Sequence, residues 1–290
     1  MKGYHKMHIL LALDGSAEST EALDFLTRLP FAIKPKVTLF SVVPVIVSEV
    51  SVPMQEIEQV NATDILRRAH AVLEPMGYVT EQIIEFGNPS QFILDKGKEL
   101  DVDLIMLGAR GHSAAFRVVL GSTADSVANH AKCPVLVVRP NANPSRADQE
   151  FKVVLAYDDS LPAKTAFKQL SDFDWPADKT SITLCTFFEK PRLLSEDDVY
   201  DPESISDANR TLAAISAGAR WKCKTTHIVR ETKHIGDAIR GVVEAEDSNL
   251  LFVGATGKSV ITRFFLGSIS RYLLHHATTS IWIARNKDWN

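Results

Sequence analysis

One motif occurs twice in this 290-residue chain, and it limits the fold more than any other feature. Each copy has an apolar run, two glycines three positions apart, a polar loop, and then a Gly-Ser pair. The copies lie at 104–123 and 250–269, and their first glycines, Gly108 and Gly254, are 146 positions apart. Because self-similarity at so long a period spans a whole domain, the sequence predicts two domains of one design.

Apolar runs alternate with amphipathic segments in both halves, which is typical of strands followed by helices. Strands are predicted at 8–13, 37–43, 82–86, 104–107 and 135–138, and again at 153–157, 182–188, 226–229, 250–253 and 280–284. Helices are predicted at 19–29, 62–76, 92–100 and 122–131, and at 163–170, 204–219 and 235–246. Such alternation requires right-handed crossovers, so each half is predicted to be a doubly wound parallel sheet.

Three polar segments lie outside this pattern. Residues 45–60 have no clear period and are interpreted as a flexible flap near the ligand, and the acidic segment 189–201 occupies the same place in the second half. A polar stretch containing a proline separates the repeats. We therefore predict domains at 1–142 and 149–290, joined by a linker at 143–148.

Composition narrows the function classes. A net charge of −4 argues against a broad nucleic-acid footprint. No apolar run reaches the roughly 20 residues that a membrane helix needs, and the N-terminus is polar, so we expect a cytoplasmic protein without a membrane partner. The three cysteines are far apart and no C-x-x-C pair occurs, so neither a disulfide framework nor a metal site is predicted.

The glycine motif favours an anion site. Glycines at the end of a buried strand let a ligand approach main-chain N–H groups, and the first turn of a helix adds free N–H donors and partial positive charge. The hydroxyls of Ser122 and Thr123 add further donors, and Arg110 and Arg117 lie nearby in the sequence to supply positive charge. The candidate phosphate-binding residues of the first copy are Gly108, Arg110, Gly111, Gly121, Ser122 and Thr123.

A plainer interpretation stays open for each of these features. The glycines would then only form a tight turn, and Ser122 would be a helix N-cap with Asp125 completing a capping box. Asp14, which follows the first strand, is equally suited to an N-cap or an Asx-turn.

With both copies and their flanks in place, the chain resembles a tandem universal stress protein. The first copy continues through a helix to Pro134 and a closing apolar strand, as members of that family do. The resemblance implies two Rossmann-like α/β domains of the adenine nucleotide alpha hydrolase-like type, which bind ATP, ADP or AMP. It further implies that Asp14 contacts the nucleoside and that backbone groups around Val42 hold the adenine.

The second copy carries an equivalent set, on which the resemblance implies a second nucleotide site. Its candidate residues are Asp158, Gly254, Gly257, Lys258, Gly267 and Ser268. Phe187 and Phe188 replace the smaller Val42 and Val43 at the adenine position, which makes this site less secure than the first.

The favoured function is that of a non-catalytic, ATP-binding regulator of the stress response. One alternative is a slow ATPase in which Asp14 and Asp158 hold Mg²⁺, and another is a scaffold that binds no nucleotide. In the family, the closing strands pair antiparallel, which would join 135–138 and 281–284 as a pseudo-dimer inside one chain. A homodimer is the further association that we weigh.

Overall fold

The computed structural model describes residues 6–45, 51–111, 120–140, 150–189, 202–257 and 266–289, and for 51–54 and 202 it describes the backbone alone. The chain forms two compact units, one of residues 1–140 with 286–290 and one of residues 141–285. The return of the last residues to the first unit was not predicted. The boundaries expected at 142 and 149 fall outside the described residues and stay predictions.

The first unit is a five-stranded parallel sheet with the strand order β3-β2-β1-β4-β5. Its strands are β1 His8–Ala12, β2 Lys36–Val43, β3 Val79–Phe86, β4 Leu104–Gly108 and β5 Val135–Val138. Its helices are α1 Ala17–Arg28, α2 Ser51–Leu73, α3 Pro89–Glu99 and α4 Ser122–His130. The predicted α/β class and the doubly wound parallel sheet are confirmed.

Burial explains why the central strands are apolar without alternation. Ile9, Leu10 and Leu11 of β1 are fully buried, as are Leu104 and Ile105 of β4. A strand of a parallel sheet covered on both faces has no solvent side, so every position is apolar. The helices cover these faces, and α1 does so with a buried stripe that includes Phe25 and Leu26.

Helix α2 corrects the predicted flap. The flap was expected at 45–60, yet α2 begins at Ser51 and runs for 23 residues, while 46–50 lie outside the described residues. Pro53 stands near its start, where a proline costs no intrahelical hydrogen bond. Ile57 and Val60 are 60% and 68% exposed, so apolar residues on the solvent side hid the helical period.

The second unit repeats the plan with the order β10-β9-β6-β7-β8, again all parallel. Its strands are β6 Phe151–Ala156, β7 Thr180–Glu189, β8 Lys224–Thr232, β9 Leu250–Gly254 and β10 Ser280–Ala284. Its helices are α5 Leu161–Ser171, α6 Pro202–Ala217, α7 Ile235–Ala245 and α8 Ser268–His276. The acidic segment predicted at 189–201 lies, after Glu189, outside the described residues.

The sheet topology fixes one edge in each unit as the place for a ligand. The chain adds β2 and β3 on one side of β1 and then crosses to put β4 on the other, so the order reverses between β1 and β4. Ligands of such sheets bind beyond the carboxyl ends of the strands at this reversal. Strands β1 and β4 are neighbours, which is the condition for Asp14 and Gly108 to lie together at this edge, and β6 and β9 repeat the arrangement.

Among the described residues, no helix is long and apolar enough to cross a membrane.

Candidate functional site

Asp14 stands at the end of β1 and forms an Asx-turn. Its Oδ1 accepts a hydrogen bond of 2.9 Å from the Ser16 N–H, across Gly15, whose φ is +83°. The N-cap of α1 is Ser16, which accepts from the Ser19 N–H at 3.1 Å. Of the two plain interpretations of Asp14, the Asx-turn is confirmed and the N-cap is wrong. The side chain remains exposed at the strand edge, where a ligand would meet it.

Asp14 faces the glycine loop that follows β4. A Cβ built on Gly111 would lie 2.5 Å from Asp14 Oδ2, far inside a normal contact. Only glycine therefore lets the carboxylate take this position. The fold thus brings together Asp14 and Gly111, two candidates that are 97 positions apart in the sequence.

Val42 lies level with Asp14 on the neighbouring strand. The register pairs Ala12 with Phe40, so two residues further on Asp14 is opposite Val42. Phe40 O accepts from the Leu13 N–H at 2.8 Å. Backbone groups alternate in direction along a strand, so residues two apart point to the same side. The N–H and C=O of Val42 therefore point, like those of Phe40, to the β1 side of β2, at a level beyond the end of β1. A donor and an acceptor therefore face the candidate site.

The two ends of the glycine loop meet at one residue, Ala109. Its N–H donates to Val138 O at 2.7 Å, and its carbonyl accepts from the Gly121 N–H at 2.8 Å. A Cβ on Gly121 would be 3.2 Å from Ala109 O, so the loop closes tightly on itself. Residues 112–119, which include Arg117, lie outside the described part of the chain.

Helix α4 begins without a capping side chain. Its N-cap is Gly121, no side-chain hydrogen bond is made there, and Ser122 is the first helical residue. The proposed capping box of Ser122 and Asp125 is therefore wrong. The first N–H groups of a helix have no acceptor within the helix. Because glycine has no side chain to accept from them, they can donate to a ligand instead. Ser122 is exposed and Thr123 half-buried beside these donors.

Gly108 is required for packing rather than for a sharp turn. Its φ does not lie in the left-handed region, which among described glycines is reached by Gly15, Gly77 and Gly87. A Cβ on Gly108 would be 2.8 Å from the backbone carbon and the Cβ of Glu18. The glycine thus lets α1 press against the end of β4. This corrects the conformational reason that the sequence suggested, while a role for Gly108 in binding stays a prediction.

Arg110 was expected to supply free positive charge, and the structure places it in an ion pair. Its Nη2 lies 2.5 Å from Glu18 Oε1, and the two side chains are only 13% and 14% exposed. Burial first, and then the charge of Arg110, lower the pKa of the buried Arg139 guanidinium, so the two arginines lie close enough for their charges to interact. Within the described part of the chain, this position therefore brings the guanidinium groups of Arg110 and Arg139 together with the Glu18 carboxylate.

The second unit reproduces the core of this geometry. Asp158 Oδ1 accepts from the Ser160 N–H at 3.0 Å, and a Cβ on Gly257 would lie 3.1 Å from Asp158 Oδ2. Ala255 O accepts from the Gly267 N–H at 2.7 Å. Gly267 is the N-cap of α8, again without a side-chain hydrogen bond, and Ser268 is the first helical residue. Lys258 lies outside the described residues.

Gly254, like Gly108, stands against the first helix of its unit, which here is α5. A Cβ there would be 2.7 Å from Pro162 Cβ and 2.8 Å from the Pro162 backbone carbon. Close packing of helix and strand is thus a shared requirement of both repeats.

Two features distinguish the second site from the first. Asp159, with a φ of +62°, takes the left-handed position that Gly15 holds in the first repeat. Its carboxylate accepts from Tyr157 Oη at 3.1 Å and pairs with Lys164 at 3.1 Å. The register Ala156 to Cys185 places Phe187 opposite Asp158, at the position that Val42 holds in the first unit.

Sequence reasoning missed Glu18 and Arg139. Glu18 gave no signal of its own, since an acidic residue in a first helical turn is usually explained by the helix dipole. Arg139 did leave a signal, because Arg285 stands 146 positions later, directly after the closing strand of the second repeat. That is the same interval that separates Gly108 from Gly254.

Within the described ranges, no group of three or more His, Cys, Asp or Glu side chains is arranged to hold a metal ion. The two aspartates considered for Mg²⁺, Asp14 and Asp158, belong to different units.

Two matches to one family coincide with the two units. The sequence model of the universal stress protein family matches residues 6–139 and again residues 151–285. The chain belongs to the universal stress protein family. Because both repeats match, it is a tandem member with two universal stress protein domains.

Known relatives align with the whole chain or with about half of it. A universal stress protein of Mycolicibacterium smegmatis is 25% identical over 287 residues, which cover 96% of each chain. The single-domain universal stress protein YxiE of Bacillus subtilis is 31% identical over 149 residues, or 47% of this chain and 99% of its own. The crystal structure of a universal stress protein from Archaeoglobus fulgidus superposes with a TM-score of 0.71 at 18% identity, covering 96% of this chain and 98% of its own. At that identity the structural likeness shows the fold.

Proposed function

We propose that this tandem universal stress protein binds adenine nucleotides, with ATP as its main ligand, and acts as a non-catalytic regulator of the stress response. Nucleotide binding would favour one set of conformations or partners over another, and the size of the response would follow from the difference in affinity between them.

One observation carries the proposal. At the reversal between β1 and β4, the fold gathers three groups whose chemistry matches three parts of a nucleotide. The α4 start offers uncapped N–H donors for phosphate oxygens. The exposed Asp14 carboxylate suits the hydroxyls of a ribose, and the Val42 backbone offers a donor and an acceptor for the edge of an adenine. Each group would be unremarkable alone, but their shared edge favours one ligand that spans all three.

The second domain supports a second site on the same grounds. The Asp158 turn, the closed glycine loop and the uncapped α8 repeat the first site. Phe187 adds bulk at the adenine end, so we propose that this site binds more weakly. The assignment of Lys258 to phosphate stays a prediction.

The test is nucleotide stoichiometry on the full chain. Freshly purified protein is heat-denatured, released nucleotides are identified by chromatography, and ATP, ADP and AMP are then titrated by calorimetry. About one ATP per chain supports a working first site with a second domain that is structural, and about two supports both sites. No binding of any adenine nucleotide refutes the proposal and favours the nucleotide-free scaffold.

A turnover measurement separates the regulator from the slow ATPase. We expect ATP hydrolysis with Mg²⁺ to stay at background. Hydrolysis well above background that is lost in Asp14→Ala would refute the non-catalytic part of the proposal, because it would make that carboxylate part of a reaction.

Association stays part of the proposal. We propose that the closing strands at 135–138 and 281–284 take part in a pseudo-dimer within the chain, as in the family. Sedimentation analysis across protein concentrations tests the homodimer, for which a mass near 64 kDa is expected, about twice the 32.1 kDa of one chain.

A further inference from the structure

The ion pair between Arg110 and Glu18 lies within the candidate site of the first domain. Arg110 stands between the two loop glycines, Gly108 and Gly111, and its Cα would be 3.3 Å from a Cβ on Gly121. Its guanidinium is nevertheless held by Glu18 at 2.5 Å. A cation placed inside a phosphate loop is thus already paired with an acid of the protein.

The surroundings favour Glu18 as a permanent part of this arrangement. Glu18 lies in the first turn of α1, where the helix dipole stabilises a negative charge. Arg139 is buried close enough to Arg110 for their charges to repel, which is one of the causes that lower the pKa of Arg139. A carboxylate between α1 and β4 offsets part of that repulsion. The pair is also largely desolvated, so its charges are weakly screened by salt.

The second domain lacks the pair. The repeat offsets that match Asp14 to Asp158 and Gly108 to Gly254 also match Glu18 to Pro162 and Arg110 to Thr256. Pro162 occupies the position of Glu18, where it packs against Gly254 and carries no charge. The ion pair therefore belongs to one site of the two and is not needed to build the loop.

We propose that Glu18 determines how strongly the first site distinguishes nucleotides by their phosphate charge. By holding Arg110, it withholds a positive charge from the phosphates, and its own negative charge opposes them. Both effects grow with each added phosphate, so they weaken binding most for ATP and least for AMP. The first site thereby prefers ATP over ADP and AMP by a smaller factor than it would without the Glu18 charge. This inference rests on the proposed function.

The experiment measures ATP and AMP affinities by calorimetry on the full chain. Glu18→Gln keeps the shape and a hydrogen-bond acceptor but removes the negative charge that offsets Arg110 in the ion pair. We expect ATP to bind about tenfold more tightly and AMP no more than about twofold. Glu21→Gln is the matched control, because Glu21 lies on the same helix and forms its 2.7 Å ion pair with Arg28 in the last turn rather than with a candidate site residue. It should leave both affinities within about twofold of the parent.

Two further variants keep the test independent of any folding defect. Arg110→Gln leaves Glu18 unopposed and should weaken ATP binding about tenfold. The double variant Glu18→Gln/Arg110→Gln removes both charges. Replacing both partners of a buried pair is often tolerated by the fold. This variant should return ATP affinity to within about twofold of the parent. Gly111→Ala, which displaces Asp14, assigns the measured binding to the first domain.

The outcomes are separable. If the parent chain binds no adenine nucleotide, the proposed function fails. If the parent binds ATP but Glu18→Gln does not raise the ratio of ATP to AMP affinity, or the double variant falls about tenfold below the parent, the role of Glu18 is overturned and the proposed function stands. A double variant that binds like the parent while Glu18→Gln binds more tightly supports the inference.

Discussion

Two alanine substitutions in one loop should affect different properties of the protein, because their added methyl groups meet different kinds of atoms. At Gly108 the Cβ would lie 2.8 Å from the backbone of Glu18, so α1 must move away from β4. At Gly111 the Cβ would lie 2.5 Å from one side-chain oxygen, Asp14 Oδ2, which can rotate away. The first change should therefore cost stability and the second should cost ligand binding.

The loss of stability expected for Gly108→Ala follows from the 2.8 Å contact between the added Cβ and Glu18. Relieving it requires a shift of α1 by roughly 0.6 Å to reach ordinary contact, and overpacking of this kind costs about 1–3 kcal/mol. The lower entropy of the unfolded chain with alanine returns about 0.4–1 kcal/mol. The net loss is about 1–2 kcal/mol, which for a domain of this size lowers the midpoint of thermal unfolding by roughly 3–8 °C. Gly111→Ala should lose less than about 0.5 kcal/mol.

The assay is native-state hydrogen exchange, which reports each domain separately. Amides of β1 and β4 should exchange faster in Gly108→Ala, while β6 and β9 should be unchanged. ATP titration should then show near-parent affinity for Gly108→Ala and at least tenfold weaker binding for Gly111→Ala. Equal stability losses in the two variants would refute the reasoning, as would a Gly108→Ala protein as stable as the parent.

The remaining predictions concern titration and the C-terminal segment. Burial, with the Asp159 hydrogen bond, raises the pKa of Tyr157 to about 12 from its ordinary 10. The protonated Tyr157 hydroxyl therefore stabilises the second domain fully below pH 10, and this stabilisation is lost as the pH rises through about 12. Tyr157→Phe should flatten the alkaline loss of second-domain stability in urea titrations, and an unchanged slope would contradict this. Burial and the charge of Lys36 lower the pKa of His8, so the first domain should lose stability as the pH falls below about 6.5, and His8→Gln should abolish that loss in the same titration. Trp289 donates from Nε1 to Val102 O at 3.0 Å and its ring lies against Gly97, so Trp289→Ala should cost the first domain about 1–2 kcal/mol, seen as faster exchange in α3 and β4 with β9 unaffected.

Local pattern was sufficient for most of the fold. Apolar runs without alternation predicted the central strands, since a strand buried on both faces needs no polar side. The largest error, the flap at 45–60, arose where the pattern and the environment disagree. Ile57 and Val60 of α2 are exposed, so the apolar positions there do not mark the buried face that a helix usually shows.

The sequence predicted which residues form the candidate site but not why each of them is required. The repeated motif selected Asp14 and Gly111 without showing that one leaves room for the other. Gly108 looked like a turn residue, and its partner is the backbone of a helix. The nucleotide, the cytoplasmic location and the phosphate role of Lys258 remain predictions from the sequence and the family.

The sequence by itself determined the family, the tandem plan and the order of strands and helices, because these depend on repeats and periodicities that each stretch carries locally. The tertiary structure alone decided which charges face each other. Glu18 and Arg110 are 92 positions apart and no motif links them, yet packing α1 against the end of β4 joins them at 2.5 Å. The last residues show the same dependence, since Lys287 pairs with Asp101 and Asp103 at 2.9 Å only because the folded chain returns to its first domain. Such contacts arise from distances in space that no local pattern encodes.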